Sequence, residues 1–421
     1  MVKVTVLVLR GGGGHYATFR AIRDMLAQAK PDWQVTPLFA DSLGESANRS
    51  QASQSARHST GQSASTKFSK VSQTLSSGSD RIYDFMLQNG LSWMHLLTVH
   101  IHKLLVLMKH RMDRQLLAQT WQQDPPDLVL SVVPFQNRVL WESLQADFPD
   151  VPVVTILTDF ADSPPAYWMA PGTDSYVMCP TDKAVAQAIA AGISTKRIIA
   201  TSGLVIHPQF YRKPVEDKGK KRQALGLDSD AVTGLVMFGA NGSKAMLGVA
   251  RQLERLGDRL QLIFICGRNK SVEEALQELP SIQKRAVQKR AVVGFTEDIP
   301  SYMQLADFFI GKPGNVSVSE AVAMNLPTIV ERNWLTMTQE KYAADWLEIN
   351  QIGLSVSSFD QIAGAVAEMI RPENLEQYRQ TVAQLENRAV FELPEILTGL
   401  LEEKDPAQAS FCERLRQAVS P

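Results

Sequence analysis

The sequence predicts an α/β protein made of two doubly wound halves. Three observations predict it. Strand-like apolar runs alternate with helix-like periodicity over most of the chain, a pattern that implies parallel sheets joined by crossover helices. The chain opens on a continuous apolar run, Val4–Leu9, followed by Gly11 to Gly14, which reads as a doubly buried strand running into a tight turn. Towards the other end, Gly294 to Ile329 reads as strand, helix, strand, Pro-Gly turn, helix and strand.

The first half runs to about residue 210, with strands predicted at Val4–Leu9, Val35–Phe39, Leu128–Val132, Val153–Leu157 and Ser175–Met178. Residues 44–80 break the pattern. They are rich in Ser, Gln, Ala and Thr and offer too little apolar surface to offset the entropy of ordering, so a mobile loop is expected. Leu91–Trp121 has helical spacing and a basic character from Lys103, Lys109, His110, Arg111 and Arg114. With Trp93 near one end, such a helix suits an anionic lipid surface, and its Leu, Val and Met residues equally suit a core. A polar, basic stretch between Val205 and Asp228 reads as a linker. The second half offers strands at Thr233–Phe238, Leu260–Cys266, Ala291–Val293, Phe308–Gly311 and Thr328–Glu331, and the pattern after Gln351 is largely helical.

Chemistry concentrates where these strands end. Four glycines permit unusual backbone angles and close approach of a ligand, and His15 sits at the mouth of their turn. The loop lacks G-x-G-x-x-G spacing, because Tyr16 stands where the third glycine belongs; Asp41 could imitate a dinucleotide's ribose acid but suits a strand-end turn better. In the second half, GKPGNVSVSE brings backbone amides, Ser317 and Ser319 to a helix N-terminus, a ready anion site. Glu320, within that helix's first two turns, can accept both hydroxyls of a ribose diol beside a bound diphosphate; its plainer role is a charge matched to the helix dipole. VMFGANGSKAML supplies a second glycine loop, and it is not a Walker loop.

GGGGH, GFTEDIPSYMQLADFFIGKPGNVSVSEAVAMNLPTIV, TQEKYA, LTDF, CPTDKAVAQAIAAGI and SGLVIHPQF together resemble glycosyltransferase family 28, above all the monogalactosyldiacylglycerol synthases and processive diacylglycerol glucosyltransferases. The resemblance spans most of the chain outside residues 44–80. It implies a GT-B architecture, two Rossmann-like domains facing a cleft: residues 1–210 for the acceptor and membrane, 211–370 for the nucleotide sugar, and helices in 371–421 crossing back to the first domain. Donor contacts are implied at Gly239, Asn241, Gly242, Ser243, Arg268, Phe295, Thr296, Gly314, Asn315, Val316, Ser317 and Glu320, with Gln339 and Glu340 on the hexose. Gly12, Gly13 and Gly14 would form the acceptor loop. Two departures stand out. Ala240 and Lys244 replace part of a denser glycine run, and DSPPAYW keeps Trp168 but lacks the histidine that members carry after Asp159.

The function implied is inverting transfer of a hexose from a UDP-sugar to a lipid, with diacylglycerol the leading acceptor. His15 or Asp159 would take the acceptor's proton. No cofactor or metal is required, since no Asp-x-Asp motif accompanies the donor motifs. A UDP-sugar epimerase of the same architecture and a catalytically degenerate UDP-sugar or membrane-binding protein are the alternatives. A net charge of −1 with 21% charged residues gives no reason to expect nucleic acid. Cys179, Cys266 and Cys412 are too few and too scattered for a disulfide framework or zinc site. With neither a signal-peptide start nor an apolar stretch of about 20 residues, a cytoplasmic protein is expected, peripheral on the inner face of the plasma membrane or a thylakoid-type membrane.

Overall fold

The computed structural model describes residues 1–10, 13–40, 95–214, 216–279 and 288–402, and the backbone alone for 95–108. Asp41, the Ser-rich segment 44–80, Cys412, Gly12, Trp93 and the Lys103 side chain lie outside the described residues.

The chain forms two compact units, Met1–His207 with the chain from Arg388 onwards, and Pro208–Asn387. Unit 1 contains β1 (Val2–Val8), α1 (Gly13–Ala29), β2 (Trp33–Phe39), α2 (His95–Gln123), β3 (Leu128–Ser131), α3 (Asn137–Leu144), β4 (Val153–Ile156), β5 (Tyr176–Cys179), α4 (Asp182–Ala190) and β6 (Ile198–Ala200). Unit 2 contains α5 (Lys218–Ala224), β7 (Thr233–Met237), α6 (Ala245–Leu253), β8 (Gln261–Ile265), α7 (Lys270–Glu278), β9 (Arg290–Val293), α8 (Ile299–Leu305), β10 (Phe308–Gly311), α9 (Asn315–Ala323), β11 (Thr328–Glu331), α10 (Thr338–Ile349), β12 (Gly353–Val356), α11 (Ile362–Met369) and α12 (Pro372–Ala383). The final helix, α13 (Ala389–Glu402), returns to unit 1 and packs on α1.

Each unit holds one parallel six-stranded sheet, ordered β2-β1-β3-β4-β5-β6 in unit 1 and β12-β11-β10-β7-β8-β9 in unit 2. Buried on both faces, these strands read as continuous apolar runs. Leu128–Ser131, Val153–Ile156, Thr233–Met237 and Gln261–Ile265 are buried throughout. The strand order reverses between β1 and β3 in unit 1 and between β7 and β10 in unit 2. At such a switch point the loops leaving the two strands diverge and open a crevice at their carboxyl ends.

Two edge strands escaped the sequence reading. β6 has three half-buried residues, and β12 contains Gly353 and Ser355. A Cβ on Gly353 would stand 1.9 Å from the Thr328 carbonyl oxygen, so only glycine lets β12 close on β11. The basic helix divides its faces. Asp113, Leu117 and Trp121 are buried, and the Trp121 indole donates to Ser143 Oγ on α3 at 2.8 Å, while Arg111 and Arg114 are exposed and Lys109 is half-buried.

Unit 2 is pinned by one buried acid. Asp307 accepts from Arg222 at 2.7 Å, Lys218 at 2.9 Å, Arg379 at 2.7 Å and the Thr233 amide at 2.8 Å. These contacts tie α5, α12 and the start of β7 to the residue before β10. Burial opposes ionisation of Asp307, yet Lys218 and Arg222 hold its carboxyl below the usual range.

Candidate active site

In unit 1, three loops converge at the switch point. The His15 ring, in the first turn of α1, places Nδ1 2.7 Å from the Val132 carbonyl oxygen just after β3, and Thr158 Oγ1 stands 3.2 Å from the same nitrogen. A carbonyl oxygen only accepts, so Nδ1 carries the proton and Nε2 keeps its lone pair. Burial lowers the His15 pKa to about 4, with the Val132 hydrogen bond opposing, so the ring is neutral at pH 7.

The Trp168 ring lies 6.0 Å from His15 between centroids, tilted by 49°. Its indole nitrogen donates to Asp159 Oδ2 at 2.8 Å. His15 and Asp159, both predicted from sequence, therefore meet the same indole, and one oxygen of Asp159 is committed to it. Asp162, which sequence reasoning missed, fixes the loop: its carboxylate accepts from the Ala166 amide at 2.9 Å and the Trp168 amide at 2.6 Å. An Asp opening a Ser-Pro-Pro stretch is a turn signal that could have been read. Gly13 opens α1 and Gly14 follows it, both beside this site; a Cβ on Gly13 would meet nothing within 4 Å.

In unit 2, the loops after β7 and β8 interlock. Gly242 and Gly267 both have positive φ, 59° and 58°. A Cβ on Gly242 would lie 2.2 Å from the Cys266 oxygen, and one on Gly267 would lie 2.2 Å from the Ala240 oxygen. The Arg268 amide donates to the Ala240 carbonyl at 2.8 Å. Gly239 and Asn241 are exposed on this loop, and Ser243 Oγ accepts from the Ala245 amide at the start of α6. The Arg268 guanidinium covers the Phe295 ring at 4.1 Å, and Thr296 Oγ1 accepts from the Asp298 amide.

The turn between β10 and α9 carries the other donor candidates. No side chain caps α9 at Gly314, and the first intrahelical bond runs from the Val318 amide to Gly314, leaving the Val316 and Ser317 amides outside the helical ladder. Asn315 Nδ2 donates to the Gln339 carbonyl at 3.3 Å, joining α9 to α10. A Cβ on Gly314 would lie 3.8 Å from Glu340 Oε1 and 3.9 Å from Ser317 Oγ, which places these groups together. Burial raises Glu320 to about 8; it raises Glu340 to about 7, where Lys312 pulls the other way. Ser319 Oγ and Gln339 Oε1 are buried without a hydrogen-bond partner among the described residues. Two carboxyls held against ionisation beside two unsatisfied polar atoms make a surface suited to ligand hydroxyls. Lys312, omitted by the sequence reading, was signalled by its place between the strand and the Pro-Gly turn.

The family model for monogalactosyldiacylglycerol (MGDG) synthase matches residues 44–206, and that for the glycosyltransferase family 28 C-terminal domain matches residues 235–333. The chain belongs to glycosyltransferase family 28. Over 431 residues this family 28 glycosyltransferase is 26% identical to monogalactosyldiacylglycerol synthase 1, chloroplastic, of Arabidopsis thaliana, covering 97% of this chain and 73% of the relative. It is 25% identical over 299 residues to the processive diacylglycerol beta-glucosyltransferase of Bacillus subtilis, covering 70% and 74% of the two chains. Among solved structures, MurG of Acinetobacter baumannii aligns with a TM-score of 0.57 at 13% identity over 94% of this chain and 99% of that one. The S. aureus MnaA–UDP co-structure aligns with a TM-score of 0.58 at 14% identity over 96% and 97%. These likenesses establish the GT-B fold of the family 28 glycosyltransferase. No helix among its described residues is long and apolar enough to cross a membrane.

Proposed function

We propose that this family 28 glycosyltransferase is a hexosyltransferase that moves a hexose from a UDP-sugar to diacylglycerol or a related lipid, with inversion at the anomeric carbon. The observation that carries the reading is His15, whose Nδ1–H is spent on the Val132 carbonyl so that Nε2 is left to receive a proton. The acceptor oxygen bonds to the anomeric carbon as its proton passes to Nε2. The bond to the diphosphate breaks, and UDP leaves with the electron pair. The leaving charge meets the Val316 and Ser317 amides and Lys312, Glu320 takes the ribose diol, and Gln339 and Glu340 take the hexose. The first glycine loop, with Gly12, Gly13 and Gly14, borders the acceptor. The reading needs no cofactor beyond the donor. The likeness to a monogalactosyldiacylglycerol synthase and to a diacylglycerol beta-glucosyltransferase supports a hexose as the group moved and diacylglycerol as the acceptor.

The acceptor stays in its bilayer, because extracting its chains costs about 0.8 kcal/mol per methylene. The enzyme therefore works as a peripheral protein on an anionic membrane surface, on the cytoplasmic face, through Arg111, Arg114 and Lys109 of α2 together with Lys103 and Trp93. One observation favours a second reading, a UDP-sugar-binding protein without transfer: the histidine after Asp159 is missing. Incubation with labelled UDP-hexoses and diacylglycerol vesicles separates the two. Labelled lipid supports transfer, and UDP-sugar binding without labelled lipid supports the binding protein.

A further inference from the structure

Gln339 lies in the first turn of α10, and its polar groups are held in different ways. Its backbone carbonyl accepts from Asn315 Nδ2 at 3.3 Å. Its side-chain Nε2 donates to Met337 Sδ at 3.7 Å. Its Oε1 is buried with no hydrogen-bond partner among the described residues. An unsatisfied buried acceptor carries a free-energy cost in the unliganded protein, and such an atom points to a ligand group that donates to it.

The two contacts explain why the oxygen, rather than the nitrogen, is left over. A thioether sulfur has lone pairs and no proton, so it faces the amide's NH₂ and turns Oε1 the other way. Met337 is buried, and its carbonyl is fixed by the Glu340 and Lys341 amides at 2.9 and 3.1 Å as α10 begins. Asn315 is the first residue of α9 and 4% exposed. The sequence suggests it as a donor contact, yet its NH₂ is directed at the Gln339 carbonyl.

The orientation of this amide decides what it recognises. A hydroxyl both gives and accepts, so it binds either end of an amide that is free to rotate. An amide locked with its oxygen towards the ligand accepts only. It takes a hydroxyl and rejects a group of similar size that cannot donate.

We propose that Met337 and Asn315 are positioning residues that lock the Gln339 amide with Oε1 towards the donor sugar, making the site selective for a hexose hydroxyl at that point. The proposal rests on the reading that Gln339 meets the hexose of the UDP-sugar. Met337 sets which end of the amide is presented, and Asn315 sets where α10 begins relative to the turn that meets the diphosphate.

The test measures binding of UDP and of UDP-hexoses, intact or with one hydroxyl at a time replaced by fluorine, to the full-length protein by calorimetry. In wild type, fluorine at one position is expected to weaken binding about tenfold, because it cannot donate to Oε1. In Met337→Leu, which conserves volume, the amide can turn its NH₂ to the fluorine, and that penalty is expected to shrink to about threefold or less. Asn315→Ala is expected to weaken the intact UDP-hexose about fivefold and leave UDP within about twofold. A wild type indifferent to fluorine at every position overturns the proposal, as does an equal penalty in wild type and Met337→Leu. Equal losses of UDP and UDP-hexose in Asn315→Ala would make Asn315 a diphosphate contact and overturn its positioning role. Failure of wild type to bind any UDP-hexose overturns the donor reading and the proposal with it.

Discussion

His15 Nδ1 lies 2.7 Å from the carbonyl oxygen of Val132, across the point where the strand order of unit 1 reverses. One hydrogen bond thus joins the glycine-rich turn after β1 to the turn after β3 and fixes the ring tautomer. His15→Ala should lower turnover by about 10² or more and leave UDP affinity within about twofold, since the residue belongs to unit 1 and the donor residues to unit 2. Steady-state kinetics with calorimetry on UDP decides it, and equal losses in both would remove His15 from the proton-transfer role. Because burial holds the pKa near 4, the ring's contribution to kcat/KM should be lost only as pH falls through about 4.

Glu320 gives a donor-side pH dependence of the opposite kind. A carboxylate that accepts two ribose hydroxyls must be ionised, and burial has raised this group from 4.5 to about 8. UDP affinity should therefore tighten as pH rises from 6 to 9, by up to about tenfold per unit well below the pKa. Calorimetry across that range, with Glu320→Gln as reference, separates this effect from the titration of UDP itself. Identical pH profiles in the two proteins would contradict the assignment.

The same shift has a stability consequence in the unliganded protein. A carboxyl whose folded pKa lies above its unfolded value favours the fold while protonated and loses that advantage as pH rises between about 4.5 and about 8. Glu320→Gln should melt higher than wild type at pH 9 and close to it at pH 4. Thermal unfolding at the two pH values checks the sign.

Asp307 stabilises unit 2. Replacing it with Ala leaves Arg222, 4% exposed, without its counter-charge, at a cost of about 3–5 kcal/mol. Denaturant unfolding should show that loss, and a loss below about 1 kcal/mol would mean that Arg222 is held by the backbone carbonyls of Leu305, Ser229 and Ala231 instead.

Membrane attachment is tested on α2. Replacing Lys103, Lys109, Arg111 and Arg114 by Gln should weaken sedimentation with anionic liposomes, each cation near the surface contributing about 1 kcal/mol at low salt. Binding indifferent to lipid charge, salt and these substitutions would return the helix to a purely core role.

The sheets and both glycine loops were legible because buried parallel strands write themselves as apolar runs, and glycines with forbidden Cβ positions, such as Gly242, mark loops that interlock. The edge strands β6 and β12 were not, since β6 is only three residues long and β12 depends on a close approach at Gly353 that periodicity does not record. Of the candidate site, Glu320, Gln339 and Glu340 announced themselves by motif. Asp162 and Asn137 did not, because their importance lies in contacts with Trp168 from the far side of a loop, and no local pattern predicts which backbone groups a buried Asp or Asn will meet. Asp307 was hidden for the same reason, its partners lying far away along the chain.

The central claim is tested most directly by NMR of the lipid formed from an α-linked UDP-hexose and diacylglycerol vesicles. The account predicts a β-linked monohexosyl lipid among the products, with one UDP released for each hexose transferred. Release of UDP with free sugar alone, an α-linked lipid, or no consumption of any UDP-hexose would contradict it.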